Sequence, residues 1–330
     1  MKIEQFRWGI LGTGLIAEQF SRDVQRLDDH KIQAVGSRAQ STADAFGDKL
    51  GIPVRHSSYE SLVNDQNVDG IYVATHHAMH RRDAILALNA GKPVLCEKPF
   101  ALSVLDTEAM ISAARSNNLL LMEAMWTRYL PHMIRVREII KSGILGEIVS
   151  VWAEHGQWFK PDPESRFFKA ELGGGALFDL GSYPVSFASM VLGTPTKITA
   201  VSDKAFSGVD GQTSILLQYA SKAHAILTTT ALASTANRAV ISGTDARIEI
   251  DRWMWPTSLT VISRSGEVLE KREQNYEGHG LREEAIEFAR CFHEGLKESP
   301  MLPLDETLSI MKTLEEIKNQ VGITFPNLVM

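Results

Sequence analysis

Arg7-Trp8-Gly9-Ile10-Leu11-Gly12-Thr13-Gly14-Leu15-Ile16-Ala17 is the segment that decides the fold. A β-rich run from Arg7 to Leu11 breaks at Gly12-Thr13-Gly14. An amphipathic pattern follows, with Leu15, Ile16, Phe20, Val24 and Leu27 on one helical stripe. Strand, glycine turn and helix in that order fit the dinucleotide fingerprint, with Ala17 at the third small position. Gly12 permits the tight turn, Gly14 lets a pyrophosphate approach the backbone, and Ala17 lets the helix pack closely on the strand. The free N–H groups and positive dipole end of that helix favour phosphate. Gly9, Gly12, Thr13, Gly14, Leu15 and Ile16 are therefore the expected cofactor cradle. Glycine turns between strand and helix are common, and it is the second strand following the helix that makes this one specific.

That second strand, Lys31 to Gly36, ends in Ser37-Arg38. An NAD enzyme usually carries Asp or Glu here to bond the ribose 2′-hydroxyl. A hydroxyl and a guanidinium suit a 2′-phosphate instead, since a guanidinium binds phosphate in a bidentate fashion. The expectation is NADP(H) rather than NAD(H), the alternative being a surface Arg38 that touches nothing. The βα rhythm continues through a helix over Ser41 to Leu50 with Ser41 as N-cap, a short helix from Tyr59 to Asn64, and a strand from Asp69 to Thr75. The latter ends in Thr75-His76-His77-Ala78-Met79-His80. Three histidines invite a metal, but no carboxylate or cysteine completes a set of three or four ligands, so no metal is expected. Thr75, His76 and His80 read as polar lining beside the cofactor, or as helix capping.

Arg81 to Ala90 reads as a helix closed by Gly91. The next strand, Pro93 to Cys96, runs into Glu97-Lys98-Pro99. Ligands of an open α/β sheet lie beyond the carboxyl ends of its strands, which puts Glu97 and Lys98 at the ligand edge. A helix over Ser103 to Asn117 and a strand from Leu119 to Glu123 complete a doubly wound parallel sheet.

With 330 residues the chain exceeds one typical core, so two domains are expected, 1–124 and 125–330. Apolar and charged shares of 44% and 22% are those of a globular protein, and a net charge of −6 argues against nucleic-acid binding. No apolar run approaches a membrane span, and the first residues lack a signal-peptide profile. Cys96 and Cys291 form no framework, which suits reduced thiols in a cytoplasm.

Beyond Ile148 the pattern turns β-rich, with candidate strands at 148–155, 197–206, 213–219, 224–230, 238–242, 246–251 and 258–264. Their alternation predicts a large, open, mainly antiparallel sheet, giving an α/β Rossmann domain followed by an α+β domain. Helices are expected over Arg128 to Lys141, Leu281 to Gly295 and Leu304 to Val321. Gly173-Gly174-Gly175 reads as a flexible lead into a helix over Ala176 to Met190. On that helix Asp179 and Tyr183, four apart, share a face. Trp126, Trp158, Phe159, Trp253, Trp255 and Tyr276 crowd the presumed substrate side, although many aromatics are simply core.

The glycine fingerprint, Glu97-Lys98-Pro99, the stretch Gly173 to Tyr183 with Asp179-Leu180-Gly181-Ser182-Tyr183, and Leu121 to Arg128 together resemble the Gfo/Idh/MocA oxidoreductase family. Within it the chain is most similar to the branch of dimeric dihydrodiol and NADP-dependent D-xylose dehydrogenases, over essentially its whole length. The resemblance implies that Lys98 and Tyr183 serve at the catalytic centre with Asp179 beside them, Tyr183 standing where many relatives carry His. It implies a cis peptide before Pro99, a substrate pocket lined by aromatics near Trp126 and Tyr276, and subunit pairing into a homodimer or higher homo-oligomer; Arg128 and Trp158 are further candidates for the substrate side. His155 aligns with an aromatic of mammalian members, which points to a more polar pocket. The implied reaction is hydride transfer between nicotinamide and a secondary alcohol or carbonyl of a sugar, dihydrodiol or dicarbonyl. An NADP(H) redox sensor without turnover, or an NAD-linked polyol dehydrogenase, are the alternatives.

Overall fold

The computed structural model describes residues 5–255, 257–273 and 276–326. They form two compact units: residues 1–126 with 277–308, and residues 127–276 with 309–330.

In the first unit β1 (Phe6–Leu11), α1 (Leu15–Val24), β2 (His30–Gly36), α2 (Gln40–Leu50), β3 (Val54–His56), α3 (Tyr59–Val63) and β4 (Gly70–Val73) are followed by α4 (His80–Asn89), β5 (Val94–Glu97), α5 (Val104–Ser116) and β6 (Leu121–Ala124). The six strands pair in parallel in the order β3-β2-β1-β4-β5-β6. Strand order reverses between β1 and β4, which is where a doubly wound sheet opens a ligand crevice. β4, β5 and β6 are buried along their full lengths, as strands covered on both faces must be. The α2 helix differs from expectation. It starts at Gln40 behind an extended Ala39, and Ser41 is not its cap. The Thr42 hydroxyl occupies that neighbourhood, donating to the Ala39 carbonyl at 2.9 Å.

The second unit holds α6 (Pro131–Ser142), β7 (Ile148–Gly156), α7 (Ser182–Leu192), β8 (Lys197–Lys204), β9 (Asp210–Gln218), β10 (His224–Thr230), β11 (Ala239–Gly243), β12 (Ala246–Ile250), β13 (Leu259–Ser263) and β14 (Val268–Arg272). These eight strands pair in the order β14-β13-β12-β11-β7-β10-β9-β8, antiparallel except for β7 beside β10. Alternate residues face α7: Val151, Ala153, Ala225 and Leu227 are fully buried. On the other face Val240, Trp152, Ile226 and Leu216 stand side by side in register, with Ile226 48% exposed. The edge strand β14 has no counterpart among the expected strands, because its sequence, VLEKR, is solvent-facing and does not alternate.

The chain then supplies α8 (Arg282–His293) to the first unit, and α9 (Leu304–Gln320) closes the sequence of helices. Phe288 of α8 packs edge-on to Phe6 and tilted against Trp8, at 5.8 and 5.0 Å between ring centroids. Asp23 of α1 caps α8 from outside its own sequence neighbourhood. Its Oδ2 accepts from the amides of His279, Gly280 and Leu281 at 2.8, 2.9 and 3.0 Å. Gly278 and Gly280, at φ +100° and +98°, supply the left-handed backbone that turns these amides onto one carboxylate.

Candidate active site

In the first unit the cradle expected at the end of β1 is formed. Gly12 has φ +113°, and a Cβ there would stand 2.9 Å from the Ala74 carbonyl oxygen. Gly14 is the N-cap of α1 without a side-chain bond, and a Cβ on it would meet nothing within 4 Å. Open space in front of uncapped helix amides fits a dinucleotide pyrophosphate. The one acid in the first turn, Glu18, is drawn aside by Lys49 at 2.7 Å and Arg22 at 3.0 Å. These two cations hold its carboxyl below the usual range and offset a charge that would oppose phosphate. Leu15 is 71% exposed at the mouth, with Thr13 and Ile16 half-buried, while Gly9 packs under Ile71 and Val68.

At the end of β2, the buried Ser37 hydroxyl bonds Thr42 Oγ1 at 2.5 Å. Arg38 is exposed and has no carboxylate partner among the described residues. At the end of β4, the Thr75 hydroxyl is buried with no hydrogen-bond partner among the described residues, and His76 is exposed. His80 is fully buried. Its Nδ1 lies 3.0 Å from the Pro99 carbonyl and its Nε2 lies 3.2 Å from that of Thr75, so the ring braces the ends of β4 and β5. His77 sits edge-on to it at 5.6 Å. Among the described residues no three His, Cys, Asp or Glu side chains converge on a metal position.

The end of β5 is pinned by its own carboxylate. Glu97 is buried. Its Oε1 accepts from the Tyr72 hydroxyl and its Oε2 accepts from the Lys98 amide at 3.1 Å. Tyr72 in turn stacks on Phe20 at 3.8 Å. The Lys98–Pro99 bond is cis, as the resemblance implied, and the Lys98 side chain is half-buried. None of the bracing by Tyr72 or His80 carries a sequence signal.

In the second unit Asp179 and Tyr183 lie where an ordinary helix was expected, but Leu177–Gly181 is a π-helical turn that passes into α7 at Ser182. Single π turns are frequent at functional sites. Asp179 is buried and accepts from Arg166 Nη2 at 3.3 Å. Tyr183, 6% exposed, meets the ring of His155 edge-on at 5.3 Å. His155 is buried on β7, with Nδ1 3.3 Å from the Leu180 carbonyl and Trp255 edge-on at 6.4 Å. A phenol, a carboxylate and an imidazole are thus gathered around one turn, a set suited to proton transfer.

The glycines before this turn are required for close packing rather than flexibility. A Cβ on Gly174 would overlap the Phe167 carbonyl oxygen, and one on Gly175, at φ +119°, would overlap Asp210 Oδ1. Asp210, at the start of β9, accepts from the Leu177 amide at 2.5 Å. Burial pushes its carboxyl up to about 6, against opposing bonds from the amides of Leu177, Asp210 and Ala176. Sequence reasoning missed both Arg166 and Asp210, since neither lies near a recognisable motif.

The remaining pocket candidates diverge. Trp126 is 8% exposed in a 3-10 turn of the first unit. Arg128 is buried and donates to the Ser186 carbonyl at 2.9 Å. Trp158 is 56% exposed and Tyr276 half-buried. Trp253 belongs to the core, with its indole N–H on the Glu154 carbonyl at 2.9 Å and its ring against Phe187. Phe159 stacks on Phe167 at 4.2 Å.

Comparison with known proteins bears on both units. Residues 6–125 match the oxidoreductase family with an NAD-binding Rossmann fold, and residues 133–249 match the GFO/IDH/MocA C-terminal domain. The chain is 38% identical over 328 residues to trans-1,2-dihydrobenzene-1,2-diol dehydrogenase of Mus musculus, covering 97% of this chain and 98% of that one. Among solved structures it is similar to an aldose-aldose oxidoreductase from Caulobacter crescentus complexed with glycerol. That match has 25% identity and TM-score 0.87, covering 96% of this chain and 98% of the other. KijD10, a 3-ketoreductase from Actinomadura kijaniata in complex with NADP and TDP-benzene, is similar at 25% identity and TM-score 0.83 over the same shares.

Proposed function

The chain belongs to the GFO/IDH/MocA oxidoreductase family, and from that premise we propose an NADP-dependent dehydrogenase acting on a secondary alcohol or carbonyl of a sugar, dihydrodiol or dicarbonyl. When bound, the nicotinamide supplies the hydride acceptor or donor at C4. The cradle at Gly12 to Ile16 binds the pyrophosphate, and Arg38, exposed and without an ion-pair partner among the described residues, binds the 2′-phosphate. Thr75 and His76 line the same cofactor edge.

Tyr183 exchanges a proton with the substrate oxygen. Lys98, as a cation, stabilises negative charge developing on a substrate oxygen. Asp179, tied to Arg166, holds the turn that presents Tyr183. The observation that carries this reading is the preparation of the two groups: the Lys98 amide is pinned through Glu97 and Tyr72, and Tyr183 is wedged against His155 at the end of a π turn. Trp126, Arg128, His155, Trp158 and Tyr276 are the residues we assign to the substrate side.

The apolar row Val240-Trp152-Ile226-Leu216 supports a second copy of this chain as the cover of the open sheet face, giving a homodimer or higher homo-oligomer. Two free buried thiols, Cys96 and Cys291, suit a reducing cytoplasm. No helix among the described residues is long and apolar enough to cross a membrane.

The test is nicotinamide absorbance with purified protein against aldoses, polyols, dihydrodiols and dicarbonyls, with NADP and NAD in parallel. Turnover is expected with NADP. Tyr183→Phe should lower kcat by about 10²- to 10⁴-fold, the usual worth of a general acid/base, with cofactor affinity unchanged. Cofactor binding without turnover on any class would favour a redox sensor.

A further inference from the structure

Glu284, in the first turn of α8, is fully buried, and neither carboxyl oxygen has a hydrogen-bond partner among the described residues. An ionised carboxylate without donors in such a site is costly enough that the group takes a proton instead. Its surroundings favour the same outcome. The charges that act on it are Glu97 on β5, Glu283 beside it on α8, and Asp23 on α1, all of one sign. Arg282, the basic neighbour on the same helix, is engaged with Glu283 at 3.4 Å.

The other carboxylates have donors. Asp23 accepts from the three amides ahead of α8. Glu97 accepts from the Tyr72 hydroxyl and the Lys98 amide. Bonds of this kind stabilise the anion, so negative charge belongs on Asp23 and Glu97 and the proton on Glu284.

We propose that Glu284 is held as a neutral carboxylic acid, and that its neutrality keeps the charge on Glu97 and thereby fixes the peptide that presents Lys98. Glu284 is then a positioning residue. Its link to turnover rests on the catalytic reading of Lys98 given above. Burial and the adjacent Glu97 together hold the Glu284 carboxyl well above the usual carboxylate range. When Glu284 loses its proton at alkaline pH, a second negative charge stands near Glu97 with no proton left between them, and their repulsion works against the arrangement in which Glu97 accepts from Tyr72 and the Lys98 amide.

The experiment has a part that needs no substrate. At pH 7 the infrared spectrum of the wild type, compared with that of Glu284→Gln, should show one protonated-carboxyl C=O band that the variant lacks. Absence of that band overturns the proposal. In the second part, Glu97→Gln should lower kcat at least tenfold while keeping the band. Glu284→Gln, which preserves shape and neutrality, should retain kcat at pH 7 and should be less sensitive to alkaline pH than wild type. A tenfold loss of kcat at pH 7 in Glu284→Gln, or an alkaline profile identical to wild type, also overturns the positioning role. A band present in a protein that turns over no substrate would leave the acid in place and reject the catalytic reading instead.

Discussion

Asp210 accepts the amide of Leu177 at 2.5 Å from 33 residues away, and so caps the turn that carries Asp179 and leads into Tyr183. A carboxylate at a helix start favours the backbone dipole when ionised, but here burial dominates and raises its proton affinity. The sign follows. The folded value, about 6, lies above the ordinary 3.8, so this group's contribution to stability is present below 3.8 and lost as pH rises through 6. The variant Asp210→Asn does not titrate. The stability of wild type relative to that variant should therefore increase as pH falls from 7 to 4, by at most on the order of 3 kcal/mol. Urea unfolding at both pH values measures it, and parallel pH dependences would refute it.

Gly175→Ala should be costly for two reasons that share a cause. Its φ of +119° strains any other residue, and its Cβ would overlap the Asp210 carboxylate. A loss of at least about 2 kcal/mol is expected. In the double variant with Asp210→Ala the overlap disappears while the backbone strain remains, so part of the loss should be recovered. Strict additivity in a double-mutant cycle would show that the two residues do not meet.

Arg38→Ala should raise KM for NADP by about 10- to 100-fold, the usual worth of a hydrogen bond to a charged group, and leave KM for NAD nearly unchanged. If the preference for NADP survives the substitution, Arg38 is not the residue that reads the 2′-phosphate.

His155→Phe keeps an edge-on ring beside Tyr183 and removes the ring nitrogen that faces the Leu180 carbonyl. The fold should survive. The ratio of kcat/KM for a dihydrodiol over an aldose should rise by about tenfold, a change within the reach of one altered pocket contact. Equal changes for both substrates would mean that His155 supports Tyr183 without contacting substrate.

The first unit was legible because its information is local. Strand, glycine turn and helix follow one another within a dozen residues, and each strand end points at the crevice. The eight-stranded sheet was legible where one face is buried, as in the alternation of β10, and illegible at β14, where both faces meet solvent. Asp179 and Tyr183 were recognised, yet four-residue spacing cannot distinguish a π turn from an α-helix. The residues that prepare the site were hidden for a different reason. Asp210, Arg166, Tyr72 and Glu284 act across sequence separations that no spacing rule covers, and Glu284 in Arg282-Glu283-Glu284 looks like any solvated helical acid. The glycine run was seen but given the wrong reason, because the carbonyl and carboxylate that crowd it come from elsewhere in the chain.

The bonds from His279, Gly280 and Leu281 to Asp23 carry a consequence for synthesis. The cap joins positions about 256 apart, and Phe288 completes the aromatic cluster around Phe6 and Trp8 only after most of the chain has been translated. Nascent chains tend to fold N-terminal domain first, yet here the first unit is complete only once α8 has been made. Until then Phe6 and Trp8 of β1 lack the ring that packs against them, so a fragment ending near residue 126 would leave part of that aromatic cluster uncovered.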